Sequence, residues 1–281
     1  QAKPVIQYVL GGDDKVYVFK YTQDGTELLD TITDAEKYFR KFSERYDFDF
    51  TIKKSTNISA SAMVLNASET LLLKKNYQFS DNELQVLANH EIGVHMVTTM
   101  NGMLHPLKIF SHGFPNNEET QEGLAVYSEY MSGNLTIKRL KELAYRVLAV
   151  DSLAKGYSFS RTFRMLHNGY DLDREEAFYI AVRAHRGGGF TKDYLYLTGL
   201  KKIYDYHQNG KDLSLLLTGK VSLEFVEDIK YMIDNKHAIN SKHITDSYSE
   251  NKNKSPFRFK NRKIVNKRDT VSHVLVTIDE K

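Results

Sequence analysis

The stretch Ser80-Asp81-Asn82-Glu83-Leu84-Gln85-Val86-Leu87-Ala88-Asn89-His90-Glu91-Ile92-Gly93-Val94-His95-Met96-Val97-Thr98-Thr99-Met100-Asn101-Gly102 decides how the chain is read. Ser80 and Glu83 stand in capping-box relation, and Leu84, Leu87 and Ala88 follow at helical spacing. Gly102 is a stop signal, so the pattern predicts one helix of about twenty residues. In its middle lie His90, Glu91 and His95, two imidazoles and a carboxylate on an otherwise apolar helix. Burying such groups without partners is costly, so they need a reason. Two histidines on one helix, with a glutamate directly after the first, resemble a metal-site pattern whose histidines normally stand four apart and point at one ion. Here they stand five apart. On a regular α-helix that leaves them about 140° apart. A π-type turn, with about 4.4 residues per turn, brings them within about 50°. A π-bulge or local unwinding is therefore expected between His90 and His95, with Gly93 inside the widened loop.

A zinc site wants a third protein ligand and an open fourth position. Further along comes Gln121-Glu122-Gly123-Leu124-Ala125, opening a segment that is apolar except for Glu122 and Glu129. Glu122, near the start of an otherwise buried helix, is the candidate ligand. The competing reading is that it merely favours the helix N-terminal dipole. His112 and Glu119 stand next in line. Glu129, two turns on from Glu122, is placed to accept from an imidazole N–H. The ordinary expectation for it is a solvated or salt-bridged residue. His105 and His112 lie in a loop that could line the cleft, where histidines are usually solvated.

Outward from this centre, VIQYVL and KVYVFKYT in residues 5–22 read as two strands around a Gly11-Gly12-Asp13-Asp14 turn. Residues 34–46 read as a helix with Tyr38, Phe39, Phe42 and Tyr46 near one face. A strand follows from Phe48, then two short ones, SAMVL and TLLLKK. Helices are expected at 118–131, 136–155, 159–168, 173–186, 193–208 and 222–235. TVSHVLVTI near the end is a strand, and the strands at the two ends are expected to share one sheet, because termini often lie close together. The fold class is α+β: a small sheet near the start, a long helix across it, a mostly helical lobe, and C-terminal strands. One domain is expected over 1–281, with sheet and helix in 47–102, the lobe in 118–237, and flanking elements at 1–46 and 240–281.

Composition narrows the class. With 281 residues, 41% hydrophobic and 27% charged, the chain can bury a sizeable core. No cysteine is present, which excludes disulfides, thiolate zinc sites and cysteine nucleophiles. That fits a reducing compartment, and a cytoplasmic location is expected. A net charge of +3 is too small to imply nucleic acid as a partner. No run of eighteen apolar residues exists, so no membrane partner is expected. The chain opens on Gln1 without a charged segment and an apolar stretch, so no signal peptide is read. The basic run Lys252–Arg268, with Phe257, Phe259 and Ile264 interleaved, suggests a hairpin with one solvated face.

HEIGVH followed by QEGLAVYSEY resembles the bacterial QEGLA-motif proteins, the flavohaemoglobin-expression modulators. These are related to the animal microtubule-associated tyrosine carboxypeptidases, which share an HExxxH motif. QEGLA is also similar to the ligand-glutamate motif of gluzincin peptidases. The resemblance extends from about Ile58 to His237, and RAHRGGGFTKDYLYLTGL within it also looks like the family. It implies a gluzincin-like zinc peptidase fold, with His90, His95 and Glu122 holding Zn2+ and Glu91 as general base. Glu91 would take the proton of the attacking water and hand it to the leaving amine.

A carboxypeptidase must also bind a C-terminal carboxylate. Arg183 and Arg186 stand three apart at the end of a predicted helix, and arginine forks suit carboxylates. They also suit the dipole of a helix C-terminus. Gly187, Gly188 and Gly189 would let a backbone come close to a ligand. Tyr194 and Tyr196 are candidates for stabilising an oxyanion, and His185 reads as structural. The strand before the active-site helix can hold a substrate backbone by edge pairing, at 57–65 or 70–75. The leading expectation is a zinc carboxypeptidase acting on a peptide or protein C-terminus, with tyrosine or another aromatic residue removed. The alternatives are a zinc amino- or endopeptidase on the same site, and a regulatory protein that keeps the fold without turnover.

Overall fold

In the computed structural model, residues 32–249 are described except 59 and 187–191, along with four outer strands, and side chains are described within 35–249. The outer strands are β1 (Ile6–Leu10), β2 (Lys15–Phe19), β6 (Phe257–Asn266) and β7 (Asp269–Ile278). Between them lie α1 (Ile32–Ser43), β3 (Thr51–Ser55), β4 (Ala62–Leu65), β5 (Thr70–Lys74), α2 (Asp81–Leu87), a π-helix (Ala88–Met96) and α3 (Val97–Met103). There follow α4 (Ile109–His112), α5 (Asn117–Met131), α6 (Ile137–Ala154), α7 (Phe159–Arg164), α8 (Arg174–His185), α9 (Lys192–Gln208), α10 (Val226–Asp234) and α11 (Asp246–Ser249). The chain is α+β and mostly helical. Among the described residues, no helix is long and apolar enough to cross a membrane.

The chain divides into two compact units: 1–24 with 136–198 and 255–281, and 25–135 with 199–254.

In the first unit the strands from the two chain ends form one sheet in the order β1-β2-β7-β6. β2 pairs parallel with β7, and the other neighbours pair antiparallel. The shared sheet is thus present, and the basic run falls largely on β6; which face its side chains take lies outside the described residues. α6, α7 and α8 begin on Thr136, Ser158 and Asp173, each accepting from backbone N–H groups in its helix's first turn.

In the second unit a three-stranded sheet runs β3-β5-β4. β5 pairs parallel with β3 and antiparallel with β4. Its apolar run Leu71-Leu72-Leu73 suits the central place, with Leu71 and Leu73 fully buried. β4 alternates between buried and open positions and lies at an edge. Phe39 and Phe42 of α1 join Leu71, Leu73, Phe79, Leu84, Ile92 and Met96 in one apolar core. The helical run 81–103 is therefore anchored by its apolar face. Ser80 caps it, accepting from Glu83 N at 3.2 Å. The Tyr77 hydroxyl donates to the Glu83 carboxylate at 2.9 Å.

Candidate metal centre

The π-helix spans both histidines and interrupts an otherwise regular helix. The widened turn puts the rings side by side, with centroids 5.0 Å apart and planes at 74°. Helix α5 packs against it and supplies Glu122. Glu122 Oε2 stands 3.6 Å from His90 Nε2 and 3.6 Å from His95 Nε2. Among the described residues these three form a group that can hold a metal ion, one ligand atom from each lying within 4.8 Å of the others. Two nitrogens and one oxygen leave a fourth position open, as catalytic sites do, and tetrahedral bonds of the usual length set ligands about 3.3 Å apart. The donor set and its spacing therefore fit a metal.

Gly93 is not needed for space. A Cβ there would make ordinary contacts of 3.6 Å with Ala88 O and Thr245 Cγ2. Gly123 is needed. A Cβ there would collide with the backbone of Gly199 on α9, and one on Gly199 would collide with Glu119 O. The two glycines let α5 and α9 touch backbone to backbone, which fixes Glu122 beside the π-helix.

Glu129 takes the imidazole-acceptor place that the spacing allowed, and it is paired rather than solvated. It is fully buried, and its Oε1 lies 2.8 Å from His90 Nδ1. The carboxylate accepts the Nδ1 proton and leaves Nε2 facing Glu122 and His95, the tautomer a metal requires. The uncharged run from Gly123 to Met131 around it, broken only by Glu129, was the available signal. Burial pushes the His90 imidazole down, but Glu122 and Glu129 beside it outweigh that and hold it up at about 10 in the metal-free chain. Burial raises the Glu122 carboxyl, and the two histidines overcome it, holding Glu122 well below the usual carboxylate range.

Glu91 stands apart from the ligand group. Its Oε2 accepts from Val64 N at 3.0 Å, so the carboxylate sits against the edge strand β4. β5 is flanked on both sides, so of the two stretches open from sequence only the one containing β4 can offer an edge.

Lys220 was not read from the sequence. It is buried, and its Nζ donates to His95 O at 2.8 Å, Thr98 Oγ1 at 2.9 Å and Gln121 Oε1 at 3.4 Å. Burial pushes the amine down to about 7 against the pull of Glu122 and Glu91. A lone lysine within LSLLLTGKVSLEFV was the signal.

The remaining candidates are placed as follows. His105 is buried and stacked on Phe110, with ring centroids 3.9 Å apart, rather than solvated. His112 is exposed, its Nδ1 3.0 Å from Lys108 O. Glu119 accepts from Lys202 at 2.5 Å, and neither it nor His112 joins the metal group. Arg183, Arg186 and Tyr194 belong to the other unit. There the Arg183 guanidinium forks onto the buried Asp193 carboxylate, at 2.9 Å from Nε and 2.7 Å from Nη2. Arg186 and Tyr194 are exposed, and His185 Nε2 lies 2.9 Å from Thr162 Oγ1. The glycine run 187–189 lies outside the described residues.

Residues 21–264 match the family model described as microtubule-associated tyrosine carboxypeptidase. A human protein named "Putative tyrosine carboxypeptidase MATCAP2" is 28% identical over 183 residues, 61% of this chain and 34% of its own. A rat protein named microtubule-associated tyrosine carboxypeptidase 1 is 30% identical over 159 residues, 52% of this chain and 33% of its own. The chain spans about a third of the length of these curated relatives.

Proposed function

Because the chain belongs to the microtubule-associated tyrosine carboxypeptidase family, we propose that it is a zinc-dependent carboxypeptidase of gluzincin-like fold that removes a C-terminal residue, tyrosine by preference, from a peptide or protein. The observation that carries this reading is the convergence of His90, His95 and Glu122 on one point through a π-turn, with Glu91 beside them and outside the ligand group. The tyrosine preference is taken from the relatives' names.

His90, His95 and Glu122 would hold the ion. Zinc, when bound, polarises the scissile carbonyl and acidifies water. Glu91 accepts the proton of the attacking water and returns it to the leaving amine. Its neighbour Val64 N–H fixes the carboxylate until substrate arrives. The free edge of β4 aligns the substrate backbone beside Glu91. Glu129 holds the His90 tautomer. Arg183, Arg186 and Tyr194 are the candidates for reading the substrate's carboxylate and the developing oxyanion; Arg183 is already paired with Asp193, so Arg186 and Tyr194 test that role more cleanly.

The test combines metal analysis with a peptide library varied at the C-terminus, comparing wild type with Glu91→Gln. Release of single C-terminal residues by wild type, and retained zinc without turnover in the variant, is the expected result. Cleavage elsewhere would make the chain an amino- or endopeptidase. Bound zinc without turnover in wild type would make it a regulatory protein on the same fold.

A further inference from the structure

Two carbonyls of the π-helix receive hydrogen bonds from side chains far along the sequence. The Thr245 hydroxyl donates to Gly93 O. The Lys220 amine donates to His95 O at 2.8 Å. A π-turn is rare, and a helix keeps one where something outside it favours the wider register. Hydrogen-bond donors fixed against its carbonyls do that, because they bond those oxygens where the π-turn places them. Both donors are buried and sit in the 199–254 part of the same compact unit as the π-helix.

Lys220 reaches further than one carbonyl. The same amine donates to Thr98 Oγ1 on α3 and to Gln121 Oε1 on α5, the residue before Glu122. Thr98 Oγ1 and Gln121 Oε1 are themselves 2.7 Å apart. One buried amine therefore joins the main chain of one candidate ligand to the neighbour of another. The charge is not required to fill His95 O, because the Thr99 hydroxyl also donates there at 2.7 Å.

On the reading that the cluster holds zinc, we propose that Lys220 and Thr245 are positioning residues that lock the π-turn and so set the spacing of His90, His95 and Glu122. They act through Gly93, His95 and Gln121, and neither is required to touch the ion or the substrate.

The test compares wild type with Lys220→Met and Thr245→Val, two replacements close in volume that remove the donor. Amide hydrogen exchange is read in the metal-free protein, zinc affinity by chelator competition, and ligand geometry from the absorption spectrum of the Co2+-loaded protein. Expected are at least tenfold faster exchange at residues 90–96, with the rest of the unit protected as before. Zinc binding should weaken about ten- to a hundredfold, as for other outer partners of metal ligands, and the Co2+ bands should shift. Should Lys220→Met not fold, Thr245→Val decides. Folded variants with wild-type exchange, affinity and spectrum overturn the inference while the zinc reading stands. A wild-type protein that takes up no zinc overturns both.

Discussion

His90 and Glu129 are joined at 2.8 Å between Nδ1 and Oε1, with both side chains buried, although they lie on different helices. The pair fixes one ring nitrogen so that the other is offered to the ligand cluster. Replacing Glu129 with alanine should weaken zinc binding about ten- to a hundredfold. Glu129→Gln keeps an accepting oxygen and should lose less. Competition against a chromophoric chelator measures both, and equal affinities for wild type and Glu129→Ala would remove Glu129 from the site.

The metal-free cluster stores protons, and its pH dependence follows. His90 is held at about 10 against an ordinary 6.5, so its contribution to stability is complete below 6.5 and is lost as pH climbs through about 10. Glu122 is held below its ordinary 4.5, so its contribution is present above 4.5 and is lost as pH falls further. The metal-free chain should therefore be most stable, as far as these two groups decide it, between 4.5 and 6.5. Zinc must displace the His90 proton, so between pH 7 and 9 its affinity should rise about tenfold per unit with about one proton released. Calorimetric titration in buffers of different ionisation enthalpy counts that proton; zero release would mean that His90 is neutral before metal binds.

Two glycines close to the ligands should behave in opposite ways. Gly123→Ala forces α5 away from Gly199, with a cost of about 1–3 kcal/mol for overpacking and a larger loss of zinc binding. Gly93→Ala has room, and alanine's better helix propensity stabilises by about 0.5–1 kcal/mol where the turn accepts it. Denaturant unfolding of the two variants separates these outcomes. Similar destabilisation by both would mean that the backbone contact with α9 is not what demands glycine at 123.

This contrast shows what was legible in the sequence. The five-residue spacing of His90 and His95 admits few geometries once both must face one ion, so the π-turn could be read before any coordinates. Helix starts were legible because caps are local: Ser80, Thr136, Ser158 and Asp173 each bond within three residues of themselves. The reason for Gly123 lies 76 residues away at Gly199, and Thr245 and Lys220, which donate to Gly93 O and His95 O, lie 152 and 125 residues away from them. No local pattern encodes such contacts. Glu129 admitted two readings because carboxylates are usually solvated, and its burial beside a histidine decides between them.

Arg183 and Asp193 give a prediction about stability that separates structure from recognition. The guanidinium meets the carboxylate with two nitrogens, and Asp193 is only 4% exposed. Removing Arg183 leaves a buried carboxylate without that partner, which costs about 3–5 kcal/mol in such pairs. Arg183→Ala should therefore lower the unfolding midpoint sharply, and the double replacement Arg183→Met with Asp193→Leu should recover most of the loss, because apolar side chains of similar size need no partner. Arg186 is exposed at the end of α8 and should be silent in unfolding. If it reads the substrate's carboxylate, Arg186→Ala raises KM for peptides with a free C-terminus at unchanged stability. An Arg183→Ala variant as stable as wild type would show that the Asp193 pair contributes nothing to folding.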